Sequence, residues 1–288
     1  MRCYFNRQPI NGPWGGGNVL VKTLDRRLVS QGHVVTTDPS IEPDVIICFD
    51  PRRGSQPNLL GYEDLKHAYP DVPIVQRVGD LGTHGKPQLW EMVLMSVPRS
   101  DAVIFPSAWA MTRVKEALPD VDQKDWHVIS NAPDKKFIKR PRCVTHHWST
   151  NPKKGFDFYE RLCLEDDIDF TFIGRVPNDV HLTKHVGPID ATRLSSLLPR
   201  FDVYITASVD EAGANHVCEA MACGLPIIYH QDGGSIPEYV GKRGIPFDGT
   251  IRSFRDALDT LFPRTSADDV ADQYVRIISA AAQRKEAG

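Results

Sequence analysis

Short apolar runs such as DVIIC, PIVQ and AVIF alternate with amphipathic segments of helical length along the whole of this 288-residue chain. A strand buried on both faces reads as an unbroken apolar run, and two parallel strands need a crossover, usually a helix, to bring the chain back to the start of the neighbour. The pattern predicts an α/β protein built on parallel sheets. The expected strands are 2–5, 33–37, 44–49, 73–77, 102–106 and 126–130, with helices clearest at 17–31 and 107–117.

After Ser130 to Arg142, a polar and proline-bearing stretch, the same alternation restarts with CVTHHW, DFTFIG, VYITAS and LPIIYH. That stretch is the expected boundary between two Rossmann-like domains facing a central cleft: 1–130, then 131–265, with 266–288 as a helix crossing back to the first domain. Its five basic residues, Lys135 to Arg142, are read as a solvated linker rather than a nucleic-acid patch, because no aromatic platform accompanies them. In the final segment Val270, Tyr274, Ile277, Ile278 and Ala281 share one helical stripe behind a capping Ser266.

A formal net charge of −3 supplies no field that would gather a polyanion, so any anion has to be caught locally. None of the six cysteines forms a CxxC pair, and they are read as reduced core thiols. No run of eighteen apolar residues and no secretory leader stands out, and the expected location is cytoplasmic.

SVDEAGANHVCEAMACGLPII carries Glu211 and Glu219 eight positions apart. FDVYITAS reads as a buried strand and Cys223-Gly224-Leu225-Pro226 as a helix stop, so the helix between them is short, with Asn215 as its expected N-cap. Glu211 then stands at the carboxyl edge of a parallel sheet, where open α/β folds bind ligands. The amides of Ala214, Asn215 and His216 lie between the two carboxylates and attract phosphate. A diphosphate there would have a carboxylate on either side for sugar hydroxyls. The alternative is a capping Glu211 and a merely exposed Glu219.

This segment resembles the E-x7-E signature of retaining glycosyltransferases of the GT-B fold, family 4 above all. The resemblance runs through GPWGGGNVLVKTLDRRLVSQGH, VISNAPDKKF, HHWSTNPKKGFDFY, VGPID and GGSIPEYV, and covers nearly the whole chain. It implies a nucleotide-sugar donor linked to UDP or GDP, metal-independent transfer with retention, and a glycan, lipid-linked or other hydroxyl acceptor. Gly16 and Gly17, preceded by Gly15, stand where a ligand can approach helix amides, with a tight turn alone as the other reading. Lys154 becomes the donor-phosphate lysine. Many relatives add an arginine five residues earlier, where this chain has Ser149; Arg175 is the expected substitute, with a surface residue balancing Asp179 as the other reading. Pro188 and Ile189 belong to the implied base-binding loop. Arg77, Asp80 and His84 follow a buried strand and are assigned to the sugar or acceptor side, with Asp80 also a catalytic candidate. No metal site is expected from His146, His147, His181 and His185, since the adjacent pair point to opposite faces of a strand.

The resulting expectation is glycosyl transfer in which Lys154 and the helix amides stabilise the diphosphate, Glu219 holds the ribose and Glu211 the sugar hydroxyls. Two rivals stay open: a GT-B-like nucleotide-sugar epimerase or hydrolase using Asp80 and His84, and a non-catalytic nucleotide-binding module. The acidic balance speaks against nucleic acid as a partner, a modified DNA base being the one such acceptor left open.

Overall fold

The structure is a computed structural model describing residues 1–12, 15–54, 56–57, 59–83, 85–86 and 88–286. The chain divides into two compact units, one of Met1–Phe137 with Thr265–Gly288 and one of Ile138–Arg264. His84, assigned to the acceptor side, lies outside the described residues.

The first unit holds strands β1 (Arg2–Phe5), β2 (Val34–Thr36), β3 (Val45–Cys48), β4 (Ile74–Arg77), β5 (Ala102–Phe105) and β6 (Trp126–Val128). Helices α1 (Gly16–Ser30), α2 (Tyr62–Ala68), α3 (Gln88–Ser96) and α4 (Ala108–Ala117) connect them. All pairings are parallel, in the order β2-β1-β3-β4-β5-β6. The central strands are apolar at consecutive positions because both faces are covered: Val45, Ile46, Ile47 and Cys48 are fully buried. On α1 the stripe Leu20, Val21, Leu24 and Leu28 packs against one face of the sheet. Each such side chain contributes on the order of 1.5–3 kcal/mol when fully removed from water.

The second unit holds β7 (Arg142–His147), β8 (Asp169–Gly174), β9 (His185–Val186), β10 (Val203–Thr206), β11 (Ile227–His230) and β12 (Gly244–Phe247). Helices α5 (Phe156–Cys163), α6 (Ala191–Leu197), α7 (Asn215–Ala222), α8 (Ile236–Val240) and α9 (Ile251–Leu261) cover its faces. Its strands are also all parallel, ordered β12-β11-β10-β7-β8-β9. The chain thus builds outward in one direction from β7 through β8 to β9, then restarts on the other side with β10. The α/β class with two parallel sheets is what the sequence pattern implies.

Each sheet has one place where consecutive connections leave in opposite directions: between β1 and β3 in the first unit, between β7 and β10 in the second. Loops diverge there and leave a crevice at the strands' carboxyl ends. The fold itself therefore names two places to search for ligand sites.

The last helix, α10 (Ala267–Glu286), belongs to the first unit. Val270, Ala271, Tyr274, Ile278 and Ala281 are buried in one cluster with Leu20, Leu24 and Ile47. Ser266 caps it reciprocally: the Ser266 amide and hydroxyl donate to the Asp269 carboxylate at 2.7 Å each, and the Asp269 amide donates back to the hydroxyl at 3.3 Å. The basic stretch that spans the junction of the two units is consumed by local contacts. Lys135 pairs with Asp268, Lys136 with Asp134, Lys139 and Arg142 with Asp202, and Arg140 donates to the Asp166 carbonyl.

Cys3, Cys48 and Cys143 are buried thiols, and burial pushes the Cys3 thiol up to about 12. Cys218 departs from the core reading, being exposed on the outer face of α7.

Candidate active site

A cavity of about 360 Å³ opens in the second unit over the carboxyl ends of β7 and β10. It is lined by His146, His147, Trp148, Ser149 and Lys154 from the first of these, and by Glu211, Gly213, Asn215, His216 and Glu219 from the second.

Lys154 reaches the cavity through a turn whose parts are local. Asn151 caps a single 3-10 turn over Pro152–Lys154 by accepting from the Lys153 amide at 3.0 Å. Gly155 follows with φ +78°, and a Cβ there would stand 2.5 Å from both the Cβ and the carbonyl oxygen of Ala207. Only glycine lets the turn lie this close to the end of β10. The Lys153 carbonyl accepts from the Val209 amide at 2.9 Å and ties the two loops together.

Two adjacent lysines then meet two adjacent acids. Lys153 pairs with Asp210 at 2.8 Å, both largely exposed, a contact that adds little to stability. Lys154 pairs with Glu211, and these side chains are only 18% and 13% exposed. In the less solvated setting the second pair is the stronger interaction. Glu211 is itself held from behind: its carbonyl accepts from the Ser235 amide at 2.8 Å, and Gly234, at φ +68°, packs against its backbone. Asp210 just before it has φ +53°, an uncommon conformation for a non-glycine residue and a typical companion of a constrained site.

Glu219, one turn into α7, accepts a 2.8 Å hydrogen bond from His146 Nε2. The imidazole is fully buried and its Nδ1 has no partner among the described residues. A neutral ring that donates from Nε2 carries its lone pair on Nδ1, so the network assigns the Nε2–H tautomer. Burial lowers the His146 pKa, while Glu219 opposes this. His147 bonds the Tyr159 hydroxyl at 3.0 Å, and His216 bonds the Thr206 hydroxyl at 3.3 Å. Burial lowers the pKa of both, His147 well below the usual imidazole range and His216 to about 3, with Lys154 and neighbouring imidazoles adding to the effect.

These three rings make the unit acid-labile. Their folded pKa values lie below the unfolded value near 6.5, so the unfolded chain binds protons first as pH falls. The native state is unpenalised above that value and loses stability below it, by up to about 1.4 kcal/mol per pH unit for each histidine. Chemical denaturation at pH 7.5, 6 and 5 is expected to show a falling midpoint for the second unit, and His147→Phe to flatten the trend. A midpoint independent of pH over this range contradicts the assignment.

Of the residues predicted for donor binding, Ser149, Lys154, Asn215, His216, Glu211 and Glu219 line this one cavity. Ala214 lies directly beneath it, fully buried, and is the N-cap of α7 in place of Asn215. The correction has a packing cause: the Ala214 methyl belongs to the apolar cluster with Val144, Ile173 and Val217, which fixes the chain's entry one residue early. Asn215 is thereby the first helical residue and exposed. Arg175 does not line the cavity; its guanidinium donates to the Trp148 carbonyl at 2.9 Å. Pro188 and Ile189 precede α6, outside the lining, with Ile189 partly buried against the apolar cluster under α7. His146, His147, Trp148 and Gly213 also line the cavity and are not among the residues expected there from the sequence.

Gly16, Gly17, Arg77 and Asp80 lie together elsewhere, in the first unit, around a cavity of about 570 Å³ over the ends of β1, β3 and β4. The Asp80 carboxylate accepts from the Gly82 amide at 2.8 Å and pairs with Lys86 at 3.4 Å.

Residues 161–264 match the family model described as glycosyl transferases group 1, less than half of the chain. A search of curated proteins finds no match. Among solved structures, the chain is similar to Anabaena HepE in complex with UDP and glucose, with 15% identity, all of both chains covered and a TM-score of 0.35. It is also similar to sucrose-phosphate synthase from Thermosynechococcus elongatus, with 17% identity over 98% of this chain and 96% of that one and a TM-score of 0.36. A third is WaaG, a glycosyltransferase involved in lipopolysaccharide biosynthesis, with 10% identity over 99% of both chains and a TM-score of 0.35. The family match thus falls on the second of the two α/β units, from α5 to the end of that unit. Among the described residues, no helix is long and apolar enough to cross a membrane.

Proposed function

We propose that this chain transfers a sugar from a nucleoside diphosphate sugar, UDP- or GDP-linked, to an acceptor hydroxyl, with retention and without a metal. The observation that carries the reading is the cavity at the β7/β10 crevice. It brings the Lys154–Glu211 pair, the open amides of the first turn of α7 and the His146-held Glu219 to one place. Each part answers a need of the reaction. Breaking the anomeric C–O bond puts negative charge on the departing diphosphate, which an ammonium and helix amides stabilise. Carboxylates on either side accept hydrogen bonds from sugar and ribose hydroxyls. The leaving phosphate is the natural acceptor of the attacking hydroxyl's proton, so no separate base is assigned. Glycan and lipid-linked hydroxyls are the acceptor classes that fit the reading.

The test is calorimetric titration of UDP and GDP in the presence of EDTA, on wild type and on Glu219→Gln. One of the two nucleotides is expected to bind without metal and to lose about tenfold affinity in the variant, roughly the 1.4 kcal/mol of one charge-assisted hydrogen bond. Failure of both nucleotides to bind, or binding only with a divalent cation present, defeats the reading.

A further inference from the structure

The cavity of the first unit is chemically unlike that of the second. It lies over the β1/β3 switch point and is lined by Arg7, Arg52, Arg77 and Lys86 against only two carboxylates, Asp50 and Asp80. Both carboxylates are already engaged, Asp50 with Arg52 at 2.7 Å and Asp80 with Lys86 at 3.4 Å. Among the described residues, no carboxylate pairs with Arg7 or Arg77. Four cations against two carboxylates leave the described lining with a net charge of +2.

Arg77 makes this costly. It is 5% exposed, it donates to Asn131 at 3.0 Å, and its buried Nε has no partner among the described residues. Its partners, Asn131 and the Tyr274 hydroxyl, are neutral, so the guanidinium gives up hydration on burial and no carboxylate offsets its charge. Gly79 gives it room, since a Cβ there would stand 2.4 Å from one of its terminal nitrogens. Arg7 lies over the start of α1, its guanidinium within 4 Å of where a Gly17 side chain would begin. Burial, with Arg77 and Arg52 close by, lowers the Arg7 pKa, against the pull of Asp50. The α1 first turn, begun by Gly15 to Gly17 with no side-chain cap, directs open amides at the same volume. The loop carrying Arg7 is pinned to this place by Asn18, whose side chain bonds both the amide and the carbonyl of Ile10 at 2.7 and 2.8 Å.

We propose that this cavity binds an oxyanion through Arg7, Arg77 and the α1 amides, and that the anion belongs to the acceptor, a hydroxyl compound bearing a phosphate or carboxylate. The acceptor assignment rests on the glycosyltransferase reading; the anion site does not. A donor diphosphate reaching the same volume is the other source of such chemistry, and the two are separable.

The experiment titrates inorganic phosphate into the full chain, followed by ligand-observed 31P NMR, with and without saturating UDP. Wild type, Arg7→Gln and Lys154→Ala are compared, with Arg77→Lys as a second cavity variant that keeps the charge but not the fork. Phosphate is expected to bind with UDP already bound. Its affinity is expected to fall at least tenfold in Arg7→Gln and to fall in Arg77→Lys, while UDP affinity stays within twofold in both. Phosphate binding abolished by UDP, or UDP affinity falling in step with phosphate affinity in Arg7→Gln, assigns the cavity to the donor and overturns the acceptor assignment. Phosphate affinity unchanged in Arg7→Gln overturns the site. If UDP binds nowhere yet phosphate is lost in Arg7→Gln and kept in Lys154→Ala, the anion site stands and the glycosyltransferase reading falls.

Discussion

Lys154→Ala is expected to lower kcat by a factor of about 10²–10³ while the protein remains folded. The ammonium lies in the cavity and is the one lysine side chain among the residues lining it. Stabilising charge that grows on a leaving group in a partly desolvated site contributes roughly 3–4 kcal/mol to lowering the barrier. That ammonium faces Glu211, so the variant also leaves a carboxylate, 13% exposed, without its counter-ion. Breaking a buried pair on one side costs about 3–5 kcal/mol when the charge is fully enclosed, and less at this exposure. The two effects separate in Lys154→Ala/Glu211→Gln. Removing the orphaned charge is expected to restore most of the lost stability and none of the lost turnover. A double variant that recovers activity along with stability would show that the lysine serves the fold alone, and turnover near wild type in the single variant would remove it from the mechanism.

The strands of both units were legible in the sequence because parallel strands buried on both faces read as continuous apolar runs. The exceptions lie at the edges. β9 is two residues long and begins with an exposed histidine, and β12 is Gly-Ile-Pro-Phe. Proline is tolerated at an edge because one side of the strand needs no donor, and such a strand lacks the apolar signature.

The candidate site was legible as a set of positions and hidden as a set of pairings. Lys154 and Glu211 are 57 residues apart, His146 and Glu219 are 73 apart, and no periodicity reports contacts at such separations. His146 looked like half of an adjacent histidine pair; its role as the partner of Glu219 depends on β7 lying beside β10. Arg175 stands outside the cavity lining for a different reason. Gly174 has φ +122°, and its absent Cβ would collide with the His147 carbonyl oxygen, which accepts from the Arg175 amide at 2.9 Å. This contact runs the chain along the end of β7 and turns the guanidinium onto the Trp148 carbonyl. A strand end can be predicted from apolar runs, but the direction of the next side chain is set by one backbone dihedral.

Gly234→Ala is expected to lower kcat by about 10², although residue 234 lines no part of the cavity. Its φ of +68° alone costs an alanine on the order of 1–2 kcal/mol. The larger effect is steric. A Cβ at this position would stand 2.5 Å from the carbonyl oxygen and 2.6 Å from the nitrogen of Glu211, and neither atom belongs to a flexible side chain that could yield. The loop has little freedom elsewhere, since the Ser235 amide holds the Glu211 carbonyl, the Asp232 carbonyl holds the Asp210 amide, and Lys153 holds Val209. Relief therefore has to come from displacement of Glu211, and a shift of about 1 Å at a positioning group is enough for a hundredfold loss. Gly224 supplies the control, because it has φ +80° with open space around its missing Cβ. Gly224→Ala is expected to show the dihedral cost in its denaturation midpoint and wild-type kcat. Equal kcat in the two variants, at whatever stability, would mean that the packing behind Glu211 does not set the position of its carboxylate.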